Sequence, residues 1–334
     1  MLSRRWIGYL AACLGVCLLQ ACTTLDRAAK LYGGSGLTHS SFAYPDGASS
    51  VYYDFTVGSS VEEPATWLMF YGGSGCPSWK AVMPGYVDGL GVNARVLVLN
   101  KRHVGDTSTG MFGCGDAFHA ANNPQQWVAD YTAFIDAQLA AAPSRPKRLV
   151  LVGVSEGALP AVQIAARHAA VTHLVIIGDG AFTMRQSLSI LKERGAFPFD
   201  PSQAWREIQT DPSSLEQTWM GNPYRWWTDV MDLDPLPDML ALKVPVLVGM
   251  GEADQSVPVE SVRHWQATYA AAGKTNLQVR VYKGADHRLN AKGANCRSDF
   301  LAAVGQWLNG DGGAHAATPD KGQACALVES KNEL

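Results

Sequence analysis

RLVLVGVSEGALPAVQIAAR, residues 148–167, decides how this chain is read. Leu149, Val150, Leu151 and Val152 form an apolar run of strand-like composition. The chain then turns at Gly153-Val154-Ser155-Glu156-Gly157. After the turn, Leu159, Val162, Ile164 and Ala165 recur at helical spacing. A strand, a sharp turn and a helix, with Ser at the tip, lift one hydroxyl above a sheet edge. Glycine two positions to either side lets strand and helix pack closely. The helix N-terminus brings N–H groups and partial positive charge to any negative charge developing there. Ser155 is therefore the candidate nucleophile. A Gly-rich turn in an ordinary α/β protein has the same letters; the strand–helix context favours the nucleophile.

Strands alternate with helices along the chain. Strand-like pieces at 41–44 and 50–57 flank Pro45-Asp46-Gly47, a hairpin signal. TWLMFY (66–71) and RVLVLN (95–100) are further strands, with a short helix interrupted by Pro84 expected between them. The loop from Lys101 to Asn123 is long, as functional loops often are. Residues 124–141 pattern as an amphipathic helix through Trp127, Tyr131, Phe134, Ile135 and Leu139. HLVIIG (173–178), VPVLVGMG (244–251) and LQVRVYK (277–283) complete the strands, and 298–308 closes as a helix. This pattern predicts an α/β fold with a mostly parallel sheet covered on both faces. Functional groups of such sheets gather at the carboxyl ends of strands. Ser155, Asp179, Asp254, His287 and the Gly72–Gly75 loop all stand at such ends. Residues 181–240 break the alternation and are rich in Trp, Pro and Met. They are expected to form a helical cap above the strand ends, shaping an apolar pocket.

The chain has 334 residues, 47% hydrophobic and 17% charged, which suits one large domain or two small ones. Arg4 and Arg5 precede an apolar run from Trp6 to Leu19, the pattern of an export leader over residues 1–21. The formal net charge of −3 and the lack of a basic run give no sign of nucleic-acid binding. Residues 22–39 read as a tether, 40–180 with 241–310 as the core, and 311–334 as a loosely held tail. Export places Cys76, Cys114, Cys296 and Cys325 in an oxidising compartment, where four cysteines allow three pairings. Cys76–Cys114 would join loops after neighbouring strands, and Cys296–Cys325 would tie the tail to the core. The scattered spacing argues against a metal site, and the expected chemistry requires no cofactor.

Leu19-Gln20-Ala21-Cys22 resembles the lipobox of bacterial lipoproteins. The resemblance implies cleavage before Cys22, lipidation of Cys22, and a membrane anchor. With Thr23 following, it implies sorting to the outer membrane, facing the periplasm. From residue 40 to residue 308 the chain resembles the α/β-hydrolases. Three motifs carry that resemblance: Gly153-Val154-Ser155-Glu156-Gly157, Gly251-Glu252-Ala253-Asp254-Gln255-Ser256-Val257-Pro258, and Gly284-Ala285-Asp286-His287. It implies a serine hydrolase with Ser155 as nucleophile, His287 as base and Asp254 as orienting acid, with Asp179 the competing acid. The oxyanion donors would be the backbone N–H of Glu156 and one from Gly73 or Ser74, where Tyr71-Gly72-Gly73-Ser74 departs from a His-Gly-Gly-Gly form. The expected substrate is a small-molecule carboxylic ester. Peptidase, amidase or thioesterase action on the same triad, and a non-catalytic envelope module, are the alternatives.

Overall fold

The structure, a computed structural model, describes residues 37–58, 64–110, 113–310 and 325–328. The leader, Cys22, most of the tether and most of the tail lie outside the described residues. The main sheet contains β1 (His39–Ala43), β2 (Ser49–Val57), β3 (Thr66–Tyr71), β4 (Ala94–Leu99), β5 (Arg148–Val154) and β6 (His173–Ile177). After a two-residue hairpin, β7 (Thr218–Trp219) and β8 (Asn222–Pro223), it gains β9 (Val246–Gly251) and β10 (Leu277–Tyr282). The spatial order is β1-β2-β4-β3-β5-β6-β9-β10. β1 and β2 run antiparallel at one edge, and every pairing from β4 to β10 is parallel.

All six residues of β3 and of β9 are buried, as strands covered on both faces require. Period-two alternation divides the core. Leu149 and Leu151 of β5 face one side, against Trp127 and Phe134 of helix Pro124–Ala141 and Ile164 of helix Ala158–Arg167. Val150, Val152 and Val154 face the other, against Phe300, Leu301 and Val304 of helix Cys296–Leu308. Tyr71 stands opposite Gly153, and Val154 opposite Ile177. The carboxyl ends of β3, β5 and β6 therefore align at one edge.

Four helices lie between β6 and β9: Met184–Glu193, Pro201–Ile208, Tyr224–Val230 and Leu236–Ala241. Together with the β7–β8 hairpin they form the inserted cap. Thr183 and Gln186 close a reciprocal capping box at its first helix. Trp226, Trp227 and Met231 are buried inside it. At one end Arg225 donates to the Ala120 carbonyl at 3.2 Å, in the helix Asp116–Ala121 that follows β4. At the other, Arg194 pairs with Glu260, which opens the helix Glu260–Ala271 after β9. The cap is thus tied to the helices that follow β4 and β9.

Local differences from the sequence reading have simple causes. Pro84 begins the helix Pro84–Val87 instead of interrupting one, since a first helical position needs no N–H. Helix Glu260–Ala271 had no counterpart in that reading, although buried Val262, Trp265 and Tyr269 fall at helical spacing. Disulfides join Cys76 to Cys114 and Cys296 to Cys325, with Cα separations of 5.7 and 5.3 Å. The second brings residues 325–328 onto β10, where Val328 N–H donates to the Val281 carbonyl at 2.8 Å. Among the described residues, no helix is long and apolar enough to cross a membrane, and no cluster of His, Cys, Asp or Glu could hold a metal ion.

Candidate active site

Ser155 follows the last residue of β5 and begins a single tight turn, Ser155–Gly157, that leads into helix Ala158–Arg167. Its φ is 53°, a left-handed conformation that a residue with a Cβ adopts only when its surroundings impose it. Those surroundings are close. A Cβ on Gly157 would fall 2.2 Å from the Tyr71 carbonyl oxygen, and one on Gly153 would fall 2.5 Å from Ala158 Cα. Only glycine at both positions allows the turn and the neighbouring strand to share this space.

Two further loops meet the Ser. After β9, Ala253 N–H donates to the Ala285 carbonyl and Glu252 N–H to the Tyr282 carbonyl, both at 2.9 Å. These bonds hold the Asp254 loop against the loop after β10. That second loop is shaped by Asp286, whose exposed carboxylate accepts from the N–H groups of Arg288 and Asn290. Asp286 thereby sets the loop that presents His287 while its own side chain turns outward.

Asp254 Oδ2 accepts from His287 Nδ1 at 2.7 Å. Because a carboxylate only accepts, the ring proton sits on Nδ1 and the lone pair on Nε2. Ser155 Oγ–H donates to that Nε2 at 2.9 Å. The Asp254 side chain is fully buried. Its other oxygen accepts from the backbone N–H groups of Ser256 and Val257 at 2.7 and 2.9 Å. The buried charge is thus hydrogen-bonded throughout.

Asp179, the competing acid, lies two residues past the end of β6. Its carboxylate accepts from Gly180 N–H at 2.8 Å. Burial pushes it up to about 7. Gly178, with φ 70°, packs beside the His287 ring: a Cβ there would sit 3.2 Å from Nδ1. The structure therefore brings Asp254, and not Asp179, to the imidazole.

On the opposite side, a Cβ on Gly73 would stand 3.3 Å from Ser155 Cβ, so this backbone borders the nucleophile. Ser74 is exposed. Disulfide Cys76–Cys114 and the bond from Ser108 Oγ to the Cys76 carbonyl, 2.6 Å, brace the end of this loop. The arrangement can deprotonate Ser155 as its oxygen attacks a carbonyl carbon, and can return the proton to a leaving group.

The 101–123 loop holds what the sequence reading missed. His103 is exposed with φ 62°. Its two basic neighbours turn inward instead. Arg102 forks onto Asp130 at 2.6 and 2.7 Å and reaches Asp46. Lys101 forms an ion pair with Glu156, the residue after the nucleophile, with side-chain exposures of 9% and 7%. Two successive basic residues just past a strand were the available signal.

The model of the prolyl oligopeptidase family matches residues 108–311, more than half of the chain. No curated protein matches the sequence. Among solved structures, an esterase from Pyrococcus furiosus is similar at a TM-score of 0.53 and 14% identity, covering 82% of this chain and 89% of its own. Est1E from Butyrivibrio proteoclasticus gives 0.54 and 13%, over 83% and 98%. An acylaminoacyl peptidase from Pyrococcus horikoshii gives 0.54 and 14%, with 82% of this chain covering 41% of the peptidase. These likenesses show the α/β-hydrolase fold. The chain belongs to the prolyl oligopeptidase family and is a serine hydrolase.

Proposed function

We propose that the protein cleaves a carboxylic ester through an acyl-enzyme at Ser155. The observation that carries this reading is His287 standing between Ser155 Oγ and Asp254 Oδ2, at 2.9 and 2.7 Å. His287 takes the Ser155 proton as the oxygen attacks the ester carbonyl. The carbonyl π electrons move to oxygen, where the backbone N–H groups of Glu156 and Gly73 receive the charge. Collapse expels the alkoxide, protonated by His287. Water, activated by the same imidazole, then attacks the acyl carbon and releases the acid and Ser155.

The preference for an ester is supported by the Pyrococcus esterase, which matches over most of both chains. A second reading, cleavage of a peptide or amide, is supported by the family itself. Ser155→Ala should abolish hydrolysis of p-nitrophenyl esters, and unchanged hydrolysis would remove Ser155 as nucleophile. Parallel assays with acylaminoacyl p-nitroanilides decide between the readings: a kcat/KM higher on the anilides would replace the ester by the amide.

The proposed setting is the bacterial outer membrane, with a lipid on Cys22. Metabolic labelling with a fatty acid should tag the parent protein and not the Cys22→Ser variant. Equal labelling of both would reject this anchor.

A further inference from the structure

We propose that Lys101 is a positioning residue, whose ion pair with the Glu156 side chain fixes the peptide that donates to the oxyanion. The inference rests on Ser155 being the nucleophile. Glu156 follows Ser155 directly, so the N–H assigned to the oxyanion belongs to the residue that Lys101 grips. Within the turn the donating peptide is held at its Ser155 carbonyl, which accepts from Ala158 N–H; the left-handed conformation of Ser155 persists only where the surroundings beyond the turn also impose it. Gly153 and Gly157 can supply only backbone packing.

Glu156 supplies an anchor. Its carboxylate is 7% exposed and bonded to Lys101 Nζ through Oε2. Oε1 is buried without a hydrogen-bond partner, so Lys101 is what holds the group. Lys101 is itself fixed. It lies just past the end of β4, two strands from β5. Its ammonium rests 4.5 Å from the centroid of the Trp127 ring, on helix Pro124–Ala141. The pair crosses the end of β3, where Gly72 and Gly73 line a recess together with Lys101 and Tyr131. One side chain therefore touches the anchor of the first oxyanion donor and borders the loop of the second. A buried pair broken on one side leaves an uncompensated charge, and the group carrying it moves. Small misplacement of a reacting geometry costs about 100-fold in rate.

The test uses the full chain and a fluorophosphonate to count competent serines, followed by p-nitrophenyl ester kinetics. Lys101→Met is expected to keep KM within about twofold and to lower kcat per labelled serine about 100-fold. Lys101→Arg, which preserves the charge, should recover most of that loss. Lys101→Met combined with Glu156→Gln should fall no further than the worse single variant, because the two act as one unit. Should Lys101→Met not fold, Glu156→Gln alone reads the same kcat loss. A brace with no part in the reaction would reduce the number of labelled serines and leave kcat per labelled serine unchanged, and that result overturns the inference. A parent protein that takes no label removes the nucleophile reading and this inference with it. A labelled parent with undiminished variants removes this inference alone.

Discussion

At the scale of single residues, two carboxylates in one site have been given different surroundings. Asp254 is satisfied by His287 and two backbone N–H groups. Asp254→Asn would present an amide to Nδ1 and favour the wrong tautomer, so kcat should fall about 10,000-fold while the fold persists. Kinetics on the purified variant, with circular dichroism as control, would check this. Asp179 has a single backbone donor, and burial raises it to about 7. A carboxyl raised above its unfolded value near 4 binds more protons in the folded state between those two values. Stability linked to it is fully present at low pH and is lost as pH rises from about 4 to about 7. Relative to the parent, Asp179→Asn should therefore gain melting temperature from pH 4 to about pH 7 and level off above it. A difference that stays constant across this range would contradict the assignment.

At the scale of elements, the elbow works because three backbones share a volume that no Cβ fits. Gly157→Ala would drive a methyl into the Tyr71 carbonyl, at 2.2 Å, and displace both the turn and the Gly72–Gly73 loop. Overpacking of this kind costs about 1–3 kcal/mol. Here it should also remove activity before it unfolds the protein, as urea titration read by fluorescence and by ester hydrolysis would show. The Cys76–Cys114 bond closes a loop between positions 38 apart. Its loss is expected to cost about 2–4 kcal/mol. Because it braces the loop beside Ser155, mild reduction should lower kcat at temperatures where the fold is intact. Mapping these two cysteines as free thiols in the purified protein would remove the basis for that expectation.

At the scale of the whole molecule, the cap ties the helices after β4 and β9 together through Arg225 and Arg194. Much of this was legible in the sequence, because it is written locally. Buried parallel strands read as apolar runs, and Gly-x-Ser-x-Gly between a strand and a helix has one good steric explanation. The choice between Asp179 and Asp254 was not legible. β6 and β9 are adjacent, each is followed within three residues by an aspartate, and only the return path of the His287 loop decides between them. The Lys101–Glu156 pair was equally hidden, since it depends on β4 and β5 lying two strands apart. Helix Glu260–Ala271 was overlooked because polar residues surround its three buried anchors, Val262, Trp265 and Tyr269.

Everything proposed for the chemistry depends on Ser155 being an activated nucleophile. Treatment of the purified protein with a fluorophosphonate, followed by peptide mass mapping, addresses that directly. A single phosphonyl group on Ser155, lost in Ser155→Ala and formed far more slowly in His287→Ala, is the predicted result. A folded protein that takes no label, or takes it on another residue, would contradict it.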